Sequence, residues 1–343
     1  MRIVHAVSNV AGLPVAFAEA QRRAGHRAAA VVYESPYYKD VRAVDLGRLL
    51  DGNRISRKLR RARVVAWAAH NFDVFHFHYY TTFMPNQEDL QLLKTLGKKV
   101  VFHLHGCDIR DPRRVRTEHA ISACAECTIE CLTPVKLRMQ TTLDRFADAV
   151  IVSTPDLLEF VPDAQYIPNP IDPRSWNDLR ESNGLELRTS GEYVIVHAPT
   201  NREIKGTRHI EAAVDQLRSE GLAVRLQLLE GLTQDKLHHA CLEADLVIDQ
   251  VLIGWFGLFA LEMMALGKPV LAYIREDLQH AGSEVPIASA SPENLARTIR
   301  RLLTSSTERE ELSRRGPAYI QSVHNLDRIN EQVMDIYRAI GAP

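Results

Sequence analysis

The run Asp249–Pro269, DQVLIGWFGLFALEMMALGKP, decides the fold. The apolar stretch Leu246 to Val251 ends just inside it and reads as a buried strand. A loop bearing Gly254 and Gly257 follows, and a helix opens at Leu258. Gly267 closes that helix, and Pro269 to Ile274 reads as the next strand. Strand, glycine loop, helix and strand in that order form one unit of a parallel α/β sheet. Glycines let the backbone approach a ligand closely, and unsatisfied N–H groups at a helix start favour anions. A pyrophosphate fits that description. Glu262, one turn into the helix, is placed to accept hydrogen bonds from sugar hydroxyls.

The alternation extends outward from this unit. Strands are predicted at Tyr193 to Ala198 and Val224 to Leu229, with helices near 206–220, 234–244, 292–303 and 307–322. Directly after the first of these strands, Asn201–Gly206, NREIKG, sets Arg202 and Lys205 on one loop at the carboxyl end of the sheet. Ligands of such sheets bind there, and two cations would stabilise a departing diphosphate. Glu230, Asp249, Gly254, Trp255, Phe256 and Gly257 are grouped with them as donor-binding residues.

The other half repeats the pattern. Arg2 to Ser8, His26 to Tyr33, Val74 to His78, Lys99 to His105 and Ala149 to Ser153 read as strands, with helices at Leu13 to Ala24 and Gln87 to Leu96. Gly12 sits in the loop after the first strand, in place for a phosphate-side glycine. Phe102–Arg110, FHLHGCDIR, brings His105 to a strand end, with Asp108 beside it as an acceptor-side residue. His103, and His76 and His78 on the neighbouring strand, share a face by the period of two. His76 and His103 are read as histidines that satisfy hydrogen bonds at a sheet edge. Between the halves lies Tyr166–Trp176, YIPNPIDPRSW, whose Pro, Asn and Asp mark a linker.

The chain has 343 residues, which suits two domains of about 150 each. Hydrophobic residues at 45% and charged residues at 25% give each half enough material for its own core. A formal net charge of −1 supplies no global field for nucleic acid. The apolar runs fall well short of the roughly 18 residues of a membrane span, and the start lacks a signal-peptide pattern, so a cytoplasmic location is expected. Cys124, Cys127 and Cys131, with Cys107 upstream, suit a structural zinc of four thiolates; an iron–sulfur cluster is the second option. Arg54 to Arg63 holds six cations on a helix-like segment, a pattern that suits peripheral contact with an anionic membrane surface or with an acidic acceptor.

Taken together, these elements resemble the retaining nucleotide-sugar glycosyltransferases of the GT-B architecture, specifically glycosyltransferase family four. The likeness covers nearly the whole chain. Arg202, Lys205 and Gly206 match that family's Arg…Lys-Gly element. Phe256, Gly257, Glu262, Met264, Ala265, Gly267, Pro269 and Val270 match its FG…E-x-M-A-x-G-x-P-V element, and Ile167, Pro168 and Asn169, followed by Asp172, match its interdomain IPN. The family's pattern has a further glutamate eight residues before Glu262, where this chain has Gly254.

The resemblance implies an α/β GT-B fold of two Rossmann-like domains with parallel sheets facing a central cleft. An acceptor domain would span residues 1–168, with a cysteine-rich insertion at about 107–131, and a donor domain 169–325. A last helix in 326–343 would pack back on the first domain. It implies a retaining, hexosyltransferase-like reaction on a nucleotide diphosphate sugar, with His105, Arg202, Lys205 and Glu262 as the catalytic set and no divalent cation. In such a front-side reaction the leaving phosphate oxygen takes the acceptor proton. The acceptor, whether a sugar, a lipid-linked sugar or a small metabolite, is left open. So are two alternatives: a nucleotide-sugar epimerase of the same fold, and a catalytically impaired nucleotide-sugar-binding protein.

Overall fold

The computed structural model describes residues 1–33, 42–47, 51–183, 191–278 and 284–343. The chain divides into two compact units. The first comprises Met1–Asp111, Glu130–Pro170 and Leu326–Pro343; the second comprises Pro112–Ile129 and Ile171–Asn325. The segment expected as a cysteine-rich insertion in the first domain is therefore divided, because residues 112–129 group with the second unit.

The first unit is built on a parallel sheet of seven strands in the order β3-β2-β1-β4-β5-β6-β7. These are β1 (Arg2–Ser8), β2 (Arg27–Tyr33), β3 (Val44–Asp45), β4 (Val74–His78), β5 (Lys99–Leu104), β6 (Ala149–Val152) and β7 (Gln165–Tyr166). Its helices are α1 (Leu13–Arg23), α2 (Arg54–Asn71), α3 (Asp89–Thr95), α6 (Pro134–Leu137), α7 (Met139–Phe146) and α15 (Leu326–Ala339). The two between, α4 (Pro112–Glu118) and α5 (Ala123–Glu126), lie in the segment that belongs to the second unit. Central strands of a parallel sheet are covered on both faces, so they read as near-continuous apolar runs. Accordingly Ile3, Val4, Ala6 and Val7 of β1 and Phe75 and Phe77 of β4 are buried. Phe83, Leu90, Leu93 and Phe102 join Phe75 and Phe77 in one core. Each such side chain contributes roughly 1.5–3 kcal/mol by leaving water. The basic segment is helical: Asn53 Oδ1 accepts from Ser56 N at 2.9 Å and caps α2.

The second unit carries a parallel sheet in the order β12-β11-β10-β8-β9. Its strands are β8 (Tyr193–His197), β9 (Val224–Leu228), β10 (Leu246–Ile248), β11 (Val270–Ala272) and β12 (Ala288–Ser289). Its remaining helices are α8 (Arg174–Asn183), α9 (Arg202–Lys205), α10 (Thr207–Ser219), α11 (Gln234–Cys241), α12 (Leu258–Ala265), α13 (Leu295–Thr304) and α14 (Ser306–Val323). The helix of the opening sequence, α12, is buried along most of its length, from Ala260 to Ala265. Its apolar run therefore carries no amphipathic stripe. Gly316 lets α14 approach it: a Cβ there would stand 2.8 Å from the carbonyl oxygen of Met264. The linker residue Ile171 donates its N–H to His324 O at 2.7 Å and bridges to Asn325. Among the described residues no helix is long and apolar enough to cross a membrane.

Candidate functional site

In the second unit the donor-side residues gather at the carboxyl ends of β8 and β10. After β8 the chain turns into α9, capped by Asn201 Oδ1, which accepts from Ile204 N at 2.9 Å. Gly206 closes α9 with φ of +76°, and a Cβ there would meet Val251 Cγ2 at 2.5 Å. Val251 N in turn donates to Lys205 O at 3.2 Å, tying the α9 turn to the loop after β10. The Lys205 ammonium donates to Asp249 Oδ1 at 2.8 Å and to Gln250 Oε1 at 2.6 Å. The other oxygen of Asp249 accepts from Gly257 N at 2.6 Å.

The Asp249 carboxylate thus occupies the N-cap amide of α12, Gly257 N, the group that precedes the first turn of the helix. A fixed carboxylate at the positive end of a helix is the same electrostatic solution that a bound phosphate would provide. Gly257 makes room for the cluster: a Cβ there would lie 3.1 Å from both Asp249 Oδ2 and Lys205 Nζ. Arg202 is exposed and likewise engaged. Its Nε donates to Glu230 Oε1 at 3.0 Å, and Glu211 lies 3.7 Å away. The hydrogen bond from Arg202 holds the Glu230 carboxyl below its usual range.

Glu262 does not face solvent. It is 7% exposed and accepts from Gln234 Nε2 at 3.0 Å, with His238 Nε2 at 3.4 Å. The His238 ring lies 4.2 Å, centroid to centroid, from Trp176. Gln234 and His238 come from α11 and Trp176 from α8, helices that the glycine-loop motif does not include. Trp255 and Phe256 are stacked at 4.8 Å and buried in the core, so only their backbone groups remain for a ligand. At Gly254, φ is +87°, and an added Cβ would sit 2.6 Å from Arg275 Cγ and Cδ. The position that carries a glutamate in family four is therefore packed under an arginine side chain.

In the first unit Asp108 folds back on the end of β5. Its carboxylate accepts from Gly106 N at 2.6 Å and from His105 N at 3.0 Å. Burial pushes that carboxyl up to about 6. Gly12 begins α1 with φ of +79°, and its N–H donates to Asn9 Oδ1 at 3.1 Å. His105 is held by His78, its Nε2 3.1 Å from His78 Nδ1. His76 and His103 are hydrogen-bonded as expected, but not at an edge: β4 and β5 are interior strands. Three further members of this network, His5, Gln21 and Tyr337, carried no signal in the sequence, because the fold alone brings them together.

Of the cysteines, Cys107 and Cys131 belong to the first unit and Cys124 and Cys127 to the second; all four are half-buried. Burial raises the Cys107 thiol, and Lys136 Nζ donates to Cys107 O at 2.7 Å. Cys241 is buried in α11.

No family model and no curated protein matches this chain. Solved structures share its fold. HepE of Anabaena, in complex with UDP-glucose, is 18% identical over 99% of this chain and 100% of its own, with a TM-score of 0.64. The catalytic domain of starch synthase IV from Arabidopsis thaliana, bound to ADP and acarbose, is 13% identical over 99% of each chain, with a TM-score of 0.63. MnaA of S. aureus with UDP is 11% identical over 100% of this chain and 98% of its own, with a TM-score of 0.55. The chain thus has the GT-B fold, an α/β architecture with two parallel sheets.

Proposed function

We propose that the protein is a retaining glycosyltransferase that moves a sugar from a nucleoside diphosphate to an acceptor. The observation that carries this reading is the cluster Lys205–Asp249–Gly257, backed by Gln250. It fixes a cation beside the start of α12, at the carboxyl end of a parallel sheet where ligands of such folds bind. Arg202 lies on the same short helix. A diphosphate approaching this edge meets two cations on one rigid turn, and both gain strength as negative charge develops on the leaving group. This reading assigns Glu262 to the ribose hydroxyls, which would take the place of its present partners Gln234 and His238. Solved proteins of this fold bind UDP-glucose, ADP and UDP, which supports a nucleoside diphosphate donor here. The reading assigns the acceptor to the first unit and places no divalent cation in the site, because Arg202 and Lys205 supply the positive charge.

The test is thermal stabilisation of the purified protein by a panel of nucleotide sugars, repeated with Arg202→Ala and Glu262→Gln. Stabilisation by one nucleotide class, lost in both variants, supports the donor site. No stabilisation by any nucleotide sugar sinks it. The packing of Arg275 on Gly254 favours a second reading, a binding protein impaired in turnover. Donor binding with no hydrolysis or transfer over a broad acceptor panel would select it.

The acceptor reading extends to a membrane surface through α2. This helix carries Arg54, Arg57, Lys58, Arg60, Arg61 and Arg63 and no acidic residue. Ile55, Leu59 and Trp67 are exposed on it. Apolar side chains flanked by cations suit the interface of an anionic bilayer. Co-sedimentation with phosphatidylglycerol vesicles is expected, and it should be lost in Ile55→Glu/Leu59→Glu. Equal recovery with neutral phosphatidylcholine vesicles, or none with either, would refute it.

A further inference from the structure

His5, His76, His78 and His103 stand on adjacent interior strands of the first unit, with His5 in register with His76 and His78 with His103; His105 follows directly after β5. Their rings lie 4.4–5.5 Å apart, centroid to centroid, against Phe17 of α1 and Tyr337 of α15. Burial pushes all of them below the ordinary histidine range, His5 to about 4 and His105 to about 3. At neutral pH they are uncharged imidazoles, each with one N–H donor and one bare acceptor nitrogen.

In such a chain each contact dictates the next. Gln21 Oε1 lies 3.0 Å from His5 Nε2. A carbonyl oxygen only accepts, so His5 carries its hydrogen on Nε2 and its Nδ1 is bare. That Nδ1 lies 3.1 Å from His78 Nε2, which must therefore donate, leaving His78 Nδ1 as an acceptor. His78 Nδ1 lies 3.1 Å from His105 Nε2, which must donate in turn. The chain ends on His105 Nδ1, which is buried and without a partner among the described residues. The second pair of rings has no such fixed end. His76 meets the Tyr337 hydroxyl at 2.6 Å and His103 at 3.2 Å, and a hydroxyl can donate or accept.

We infer that Gln21, His5 and His78 are positioning residues that fix His105 as its Nε2–H tautomer and hold its Nδ1 unprotonated, as an acceptor for a ligand O–H. The tautomer follows from these contacts with the Gln21 carbonyl oxygen turned to His5; the role for the lone pair rests on the sugar-transfer reading. An unsatisfied buried acceptor costs roughly 1–3 kcal/mol, which a ligand hydroxyl would relieve.

The test uses the full chain with 15N-labelled histidine, ligand-free at neutral pH, and long-range 1H–15N correlation, which distinguishes the tautomers. His5, His78 and His105 are expected with hydrogen on Nε2. Gln21→Glu, an acceptor at the same place, should keep that pattern. Gln21→Met, which removes the acceptor of similar size, should turn His105 into a mixture of tautomers and lower kcat with KM little changed. His105 found as Nδ1–H in the unmutated protein, or an unchanged His105 pattern in Gln21→Met, would overturn the inference. So would cobalt(II) shifting these resonances, because nitrogens about 3 Å apart also suit two ligands of one ion. Failure of the protein to bind any nucleotide sugar would remove the proposed function while leaving the tautomer result intact.

Discussion

Lys205→Ala should destabilise the second unit, apart from any effect on a ligand. The Lys205 side chain is 14% exposed and that of Asp249 1%. Truncating the lysine leaves a buried carboxylate with the Gly257 amide but no counter-charge. Removing one partner of a buried ion pair costs about 3–5 kcal/mol. The outer end of Lys205 touches water, so the lower figure applies, about 3 kcal/mol. For a unit of this size each kcal/mol lowers Tm by roughly 2–4 °C, so a fall of about 6–12 °C is expected. Urea unfolding followed by tryptophan fluorescence reports on it, because Trp176 and Trp255 lie in the second unit and only Trp67 in the first. Adding Asp249→Asn removes the orphaned charge, and the double variant should regain most of the loss, a coupling of about 2 kcal/mol. A single variant as stable as the parent, or a double variant less stable than either single one, would refute the reasoning. The same result explains why Arg202, exposed and paired only at the surface, is the cleaner probe of nucleotide binding.

Gly206→Ala should lower both stability and donor binding. The positive φ costs about 1 kcal/mol, and the 2.5 Å contact with Val251 forces the Lys205 turn to shift; an unchanged melting curve would contradict it. Gly254→Glu should lower stability and not raise activity, because its Cβ collides with Arg275; an equally stable, more active variant would show that Arg275 moves freely. Acid should unfold the first unit. Its five clustered histidines have lowered pKa values, so they stabilise the fold above about 6.5, and that stability is lost as pH falls. Asp89 and Asp108, raised to about 6 by burial, work the other way between about 4 and 6. Five histidines against two carboxylates leave a net proton uptake on unfolding, so stability falls as pH drops from 7 to 5. A pH-independent first transition between 7 and 5 would refute that balance.

The periodic elements were legible from sequence because each is decided locally. The strands at Arg2–Ser8 and Val74–His78 and the helix after Gly257 follow from their own apolar runs and glycines. The short strands β3, β7 and β12 were not, because two residues carry no period. Arg202, Lys205, Asp249 and Gly257 could be named from their motifs, yet their pairing could not. Whether a lysine faces a ligand or an aspartate 44 residues away is settled by the sheet that joins them. The histidine network shows the same limit. His76, His78, His103 and His105 announce themselves by alternation, whereas Gln21 and Tyr337 arrive from helices at opposite ends of the chain.

The last helix sets an order of assembly. Residues Ile329, Val333, Met334, Ile336 and Tyr337 of α15 are buried, and Tyr337 reaches His76. This helix belongs to the first unit but follows the whole of the second in sequence. During synthesis, the seven strands of the first sheet leave the ribosome early and wait without one of their covering helices, while the second unit can close as soon as α14 has emerged. Until then, the histidine face of the first sheet has α1 against it but lacks the cover of α15. A chain that ends at Asn325 and is released from the ribosome should therefore hold a protease-resistant second unit beside a first unit that is still cleaved.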